Sequence, residues 1–421
     1  MINENVIRLP EAIIKQAAES FETPFFLYEE AQIRNNCRQF TSTFGKYFKN
    51  FTPLYAVKAN PNPHVVRTIM EEGFGLDCSS PSELWLADQF NAFGMHTGNY
   101  LTEQELEDIL NSDNILLNVD DISQLDTIER IGVPEFISFR INPNISKAGA
   151  GMDSNLLAGE NAKFGIPWEN AITAYTRAKA IGVKRFGIHM MTGSNVLDET
   201  YFIQITEKLL EVMEEVNQRT GIQFEYMNIG GGFGVPYEPQ ERSLDLEKVA
   251  RGLRETMDNW VSRTGLTEPW LMVEPGRSIM ADAGFLVTKV HVIKKSYKKF
   301  IGTDGGMNDL PRPAIYNAYH HVSVLNEVEY TNEEAVNIVG RLCENNDQFA
   351  KDRTLPIIEI GDVLVLHNAG AHAFAMGHNY NGRGRSAEYL AMTDGTIQQI
   401  RKAETIESLF SNIPEFNTVS I

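Results

Sequence analysis

PLYAVKANPN, residues 53–62, joins an apolar run to a turn, and the junction carries a lysine. Leu54, Tyr55, Ala56 and Val57 read as a buried strand that ends at Lys58. An ammonium is costly to bury unless it is paired, neutralised or put to chemical use. Lys58 therefore either snorkels to solvent from a strand end or serves a reaction. From about residue 51 onward, short β-branched runs alternate with helix-like segments. The runs are PLYAVKAN, FGLDCSS, GNYLT, ILLNVD, FISFRINP, RFGIHMMTG, YMNIGGGFG and LMVEPGR. Between them lie segments such as PSELWLADQF, DISQLDTIERI, NAITAYTRAKAIG and TEKLLEVMEEVNQRTG. Eight such units imply an α/β fold, an eight-stranded parallel β/α barrel of the TIM-like kind.

After EPGR the texture changes. AGFLVTKVHVIKKS, AVNIVGRLCE and GDVLVLHNAG are strand-like and separated by Gly, Pro and Asn turns. The expected organisation is a barrel over residues 28–277 and a C-terminal all-β domain over 278–421, joined by the segment 1–27. The net charge of −19 disfavours nucleic acid or an anionic membrane as partner. The N-terminus lacks the pattern of a secretory signal, and no apolar run approaches the roughly 20 residues that span a bilayer. Three cysteines, Cys37, Cys78 and Cys343, fit a reducing compartment and form no metal-binding spacing. A cytoplasmic enzyme is the expectation.

In such barrels chemistry sits at the C-terminal ends of the strands. Lys58 would share that rim with Asp77–Ser80, Arg140, His189–Ser194, Gly230–Gly234 and Glu274–Arg277. The three glycines at 230–232 suit either a tight turn or a phosphate cradled by bare backbone N–H groups. Ser194 would add a hydroxyl. A phosphate cradle with a strand-end lysine suggests pyridoxal phosphate held as a Schiff base, and Glu274 is the candidate partner for its pyridine nitrogen. A salt bridge to Arg277 is the other reading of Glu274.

YAVKAN, FGLDCSSPSEL, KFGI, GGGFGVPY, EPGR, GGMNDLPRPAIYNAYHH, LCENND and NYNGRGRSAEYL occur in this order over nearly the whole chain. The set resembles the fold-type III pyridoxal-phosphate decarboxylases, most closely the diaminopimelate decarboxylases. The resemblance implies that Lys58 carries the cofactor. It also implies that Asp77, His189, Met191, Ser194, Gly232, Glu274, Gly276, Arg277, His372 and Tyr380 surround the cofactor. Cys343 is implied as proton donor, reaching into the partner's site of a homodimer. A thiol with an ordinary pKa of about 8.5 stays mostly protonated near neutrality, as a donor must.

By the same resemblance Arg277, Arg312, Tyr316, Glu344 and His372 bind the amino-acid substrate. Two guanidiniums suit a distal carboxylate, and Glu344 suits its ammonium. Two positions depart from the family. Met191 stands where a histidine usually stacks on the cofactor ring, and His372 stands where GAY has tyrosine. The implied reaction is decarboxylation of meso-2,6-diaminopimelate to L-lysine. Decarboxylation of another diamino acid, or of a polyamine or siderophore precursor, remains the alternative. A racemase on the same barrel or a catalytically silent regulator would have no use for the CENND segment or for Lys58 with Cys343, respectively.

Overall fold

Eight parallel strands close on themselves between Phe51 and Val273: β1 (Phe51–Ala56), β2 (Gly75–Cys78), β3 (Gly94–His96), β4 (Ile115–Val119), β5 (Phe136–Asn142), β6 (Arg185–His189), β7 (Phe224–Asn228) and β8 (Trp270–Val273). Each strand pairs with the next in chain order, and β8 returns to β1 through Leu271↔Phe51. The computed structural model describes residues 8–148, 157–325 and 332–414. The barrel lies in one unit, Gln32–Pro236 with Gln240–Met280; Met1–Ala31, Tyr237–Pro239 and Ala281–Ile421 form the other.

The third strand is not where the sequence pattern places it. GNYLT, residues 98–102, leaves the barrel as a loop, and the strand is the shorter Gly94–His96. Tyr100 takes a left-handed φ of 54°, and Thr102 caps the next helix, Glu103–Leu110, in a capping box with Glu105. Local capping thus overrides the β preference of Tyr, Leu and Thr.

The turn residues after the strands start the helices. Asn62 accepts from the His64 N–H at 3.1 Å and sets Pro63 at the first position of the helix Pro63–Glu71. Ser80 caps Pro81–Gln89 in the same way. Pro is suited to this position because its missing N–H would have no partner there. Leu54, Met95, Tyr226 and Met272, from four strands, form a dry core inside the barrel. A Cβ on Gly187 would lie 2.1 Å from the Tyr226 ring, so glycine at that place on β6 is what admits the tyrosine.

Among the described residues the second unit is built on a nine-stranded sheet. Its long strand Gly284–Lys295 pairs with Phe25–Glu29, Lys299–Thr303 and Val363–Leu366. Phe25–Glu29 pairs on its other side, in parallel, with Ala387–Ala391. Phe25, Leu27, Phe285, Val287 and Val365 are buried together here. The hairpin Lys294–Lys299 carries a run of lysines that the overall negative charge conceals. Lys298 pairs with Asp352 and Lys299 with Glu334, so the run is partly neutralised. Among the described residues no helix is long and apolar enough to cross a membrane.

Candidate active site

β1 ends at Ala56, and Lys58 sits in a single 3-10 turn, Val57–Ala59, whose flanking residues are buried. The Tyr55 hydroxyl donates to the Asn60 carbonyl at 3.1 Å, and the Asn60 side chain accepts from the Asn62 N–H. This bracing turns Lys58 out of the strand and fixes its base. Its Nζ lies 2.5 Å from Asp77 Oδ2 at the end of β2, and Thr97 donates to the other oxygen of that carboxylate. Asp77 is fully buried, whereas two-fifths of the Lys58 side-chain surface stays open. The lysine is thus paired yet reachable. Burial works against its charge, but Asp77, Glu274 and Glu83 outweigh that and hold the ammonium above its usual pKa. Burial and the nearby Glu274 charge push Asp77 upward against the pull of Lys58.

Glu274 follows β8. Its partners are barrel residues: Asn228 donates to Oε1 at 2.8 Å, and His189 Nε2 lies 3.0 Å from the same oxygen. Burial opposes ionisation of Glu274, but His189, Lys58 and Arg140 prevail and hold the carboxyl below its usual range. A fully buried carboxylate kept charged is what a protonated pyridine nitrogen requires. His189 also meets Asn118, which accepts from Ser138 at 2.7 Å, so a line of polar side chains crosses the barrel behind Glu274.

The glycine loop lies beside this carboxylate. Gly230 and Gly232 have φ of 73° and 93°. A Cβ on Gly231 would meet the Glu274 carbonyl oxygen at 2.4 Å, and one on Gly232 would meet the Gly193 carbonyl at 2.9 Å. Only glycine fits this loop. Asn228 Oδ1 accepts from the Gly230 N–H at 2.8 Å, so one asparagine braces both the loop and Glu274. Gly193–Ser194 form a two-residue strand with Lys147–Ala148, and the Gly232 carbonyl accepts from Val196 N–H at 2.8 Å. Gly276 packs against Ala56 and Ala59 beneath Lys58, and the buried Arg277 opens the short helix Arg277–Met280. Met191 lies against the loop, its Sδ accepting from Gly231 N–H at 3.1 Å. The barrel therefore gathers Lys58, Asp77, His189, Met191, Ser194, Gly232, Glu274, Gly276 and Arg277 around the C-terminal ends of β1, β2, β6, β7 and β8. An accessible amine, a side-chain-free loop of N–H donors and a buried charged carboxylate suit pyridoxal phosphate.

No sequence motif marks Asn228 or Thr97, and Arg140 stands on the rim with no function that its sequence position implies. Asn228 has a local signal only: asparagine two residues before a glycine can turn its side chain onto that N–H. Arg140 donates to the Met191 carbonyl at 3.1 Å and stacks on Phe164.

The remaining sequence-derived positions belong to the sheet unit. Arg312 opens the helix Arg312–Tyr316 and is 2% exposed. Its Nη1 lies 2.7 Å from His320 Nε2, and its guanidinium stacks on Tyr237 at 4.4 Å. Cys343 is exposed on a loop organised by the buried Asp347, whose carboxylate accepts from Met307 N–H at 2.6 Å and Leu342 N–H at 2.8 Å. Glu344 and Tyr380 line one concavity of about 380 Å³, with Ile315, next to Tyr316, on the same wall. His372 adopts a left-handed φ of 55°, a conformation histidine tolerates better than bulkier residues.

The model of the pyridoxal-binding domain of pyridoxal-dependent decarboxylases matches residues 30–281. The diaminopimelate decarboxylase of Methanothermobacter thermautotrophicus is 38% identical over 95% of this chain and 94% of its own length. Protein TabA of Pseudomonas amygdali pv. tabaci is 36% identical over 96% of this chain and 94% of its own. The crystal structure of the Methanocaldococcus jannaschii diaminopimelate decarboxylase, in complex with L-lysine, superposes with a TM-score of 0.87 at 32% identity, covering 98% of each chain. Together with the amine, loop and carboxylate at one barrel rim, these similarities show that the chain belongs to the diaminopimelate decarboxylase family of pyridoxal-dependent decarboxylases.

Proposed function

We propose that the protein is a pyridoxal-phosphate-dependent carboxy-lyase that converts meso-2,6-diaminopimelate to L-lysine and carbon dioxide, with its active site shared across a homodimer in the cytoplasm. The observation that carries the reading is the barrel rim itself: Lys58 paired with Asp77, beside a bare glycine loop and a buried Glu274 kept ionised. When bound, pyridoxal phosphate supplies an electron sink for the pair left behind when carboxylate departs.

In this reading Lys58 holds the cofactor covalently, and Asp77 keeps the lysine amine oriented. The N–H groups about Gly232, Gly276 and Arg277 and the Ser194 hydroxyl hold phosphate, with His372 and Tyr380 completing its surroundings. Glu274 holds a proton at the pyridine nitrogen. His189 contributes by supporting Glu274 from inside the barrel, while the Met191 thioether lies against the glycine loop. A thioether can lie against an aromatic face in place of the family's histidine. Arg277 and Arg312 anchor the distal carboxylate, and Tyr316 and Glu344 receive the distal amine. The exposed thiol of the partner subunit's Cys343 delivers a proton to Cα of the product.

The substrate assignment has one rival. Met191 and His372 depart from the family pattern, which favours testing other diamino acids. Carbon dioxide release from meso-diaminopimelate, ornithine, lysine and carboxynorspermidine, assayed side by side, separates the two. Turnover of diaminopimelate at least tenfold above the others is expected. A preference for any of the other three would transfer the assignment to that substrate.

A further inference from the structure

Arg312 is held by a histidine whose protonation state its surroundings dictate. His320 is fully buried, and its Nδ1 lies 2.8 Å from the His367 carbonyl oxygen. A carbonyl can only accept, so Nδ1 carries the proton. In the neutral ring Nε2 then presents a lone pair, and it faces Arg312 Nη1 at 2.7 Å. A guanidinium can only donate, so the two demands agree. A proton on Nε2 would set two cations face to face in a dry interior. The other groups around the ring reinforce this arrangement. Arg353 donates to the His320 carbonyl at 3.1 Å, which fixes the backbone, and the Tyr237 ring meets the imidazole edge-on at 5.2 Å while also stacking on Arg312. One histidine thus transfers the position of the His367 backbone to the plane of the guanidinium.

We infer that His320 is a positioning residue for substrate specificity: its neutral Nδ1–H tautomer aims the Arg312 fork at the distal carboxylate of a dicarboxylic amino acid. The inference rests on the proposed function of Arg312 in carboxylate binding and adds the element that orients it. Bidentate carboxylate recognition depends on the plane of the fork, so a freed guanidinium loses affinity before it loses charge.

Two amide substitutions separate the two bonds of His320. An asparagine amide reaches about as far as Nδ1, and a glutamine amide about as far as Nε2. H320N should keep the bond to the His367 carbonyl and lose the acceptor for Arg312. H320Q should restore an acceptor at that place. The expected result for H320N is a KM for meso-diaminopimelate raised about tenfold with kcat within about twofold, the signature of lost uniform binding. Competitive inhibition by pimelate should weaken in parallel, and the cofactor absorbance should not change. H320Q should lie within about twofold of the parent. H320L, apolar and similar in volume, is a second acceptor-free variant and should match H320N if that protein is unstable. An unchanged KM in both acceptor-free variants, or an H320Q as impaired as they are, overturns the inference. R312A distinguishes the two levels. If it leaves KM unchanged, the proposed function of Arg312 fails; if it raises KM and H320N does not, only the positioning inference fails.

Discussion

Replacing Asp77 with asparagine removes the charge that Lys58 faces at 2.5 Å while keeping shape and one hydrogen-bonding oxygen. Two unit charges at that distance attract by roughly 7 kcal/mol at an effective dielectric of about 20, an upper bound. Two-fifths of the lysine side chain is open to water, and Glu274 and Glu83 still act on it, so most of that figure is screened. A realistic loss is about 1.4–3 kcal/mol, which lowers the Lys58 pKa by one to two units. Covalent capture of an aldehyde requires the neutral amine. In D77N the neutral fraction at pH 7.5 therefore rises about 10- to 100-fold. The assay follows absorbance as cofactor-free protein takes up pyridoxal phosphate across a pH series, with borohydride trapping and peptide mass spectrometry to confirm Lys58 as the attachment site. The rising limb of the capture rate should move one to two pH units lower. The sign for stability follows the same pair. A lysine whose folded pKa is raised stabilises the fold fully below its unfolded value near 10.4 and loses that contribution above it. In D77N that lysine contribution shrinks while the cost of ionising the buried, upward-shifted Asp77 is relieved, so the two effects oppose each other at pH 7.5. A capture profile that stays in place, or shifts upward, refutes the argument that Asp77 sets the state of the amine.

Three further outcomes are expected. G231A puts a methyl group 2.4 Å from the Glu274 carbonyl oxygen, so the loop must move; cofactor affinity measured by equilibrium dialysis should fall at least about tenfold, with an overpacking cost of about 1–3 kcal/mol in urea unfolding. The buried His96 is lowered by burial to about 4, and Asp309, also buried, is raised by burial to about 6. Stability contributed by neutral His96 is present above pH 6.5 and lost as pH falls towards 4, whereas Asp309 costs stability as pH rises from about 3.8 to 6. H96N, whose amide oxygen can accept the Gly98 N–H in place of Nδ1, should flatten the acid limb of unfolding free energy, and D309N should flatten the opposing limb. Finally, K58A and C343A should each be nearly inactive yet fold. Mixing them under subunit exchange should restore up to about a quarter of the parent activity, because one intact site forms in each mixed twofold dimer; no recovery at all would refute a site completed by the partner.

Much of the barrel was legible because its signal is periodic. Seven of the eight apolar runs mark strands where alternation with helical spacing places them. The eighth failed because Gly94–His96 is too short to carry a pattern, while Tyr100–Thr102 has strand-forming side chains spent on a turn and a cap. Candidate residues were legible where a motif is contiguous, as in GGGFG or EPGR. The supports were not. Asn228 and His189 reach Glu274 from 46 and 85 residues away in sequence, and Arg312 meets His320 only once the helix Arg312–Tyr316 has turned back on itself. No local pattern encodes such pairings, because they depend on which strand ends the closed barrel or folded sheet brings together. Glu274 illustrates the point: beside Arg277 in sequence, it takes its hydrogen bond from Asn228 at the end of the neighbouring strand.

The strand Phe25–Glu29 lies between Gly284–Lys295 on one side and Ala387–Ala391 on the other. During synthesis it precedes Gly284–Lys295 by some 250 residues and Ala387–Ala391 by more than 350, and waits for each in turn. Until Gly284–Lys295 is made both of its edges offer unpaired backbone groups to any other strand nearby, and until Ala387–Ala391 is made one of them still does. The barrel has all eight of its strands once Val273 is made, whereas this sheet stays open until Ala387–Ala391 is made. Premature termination upstream of Ala387 should therefore yield a polypeptide prone to aggregate rather than a slightly shortened enzyme.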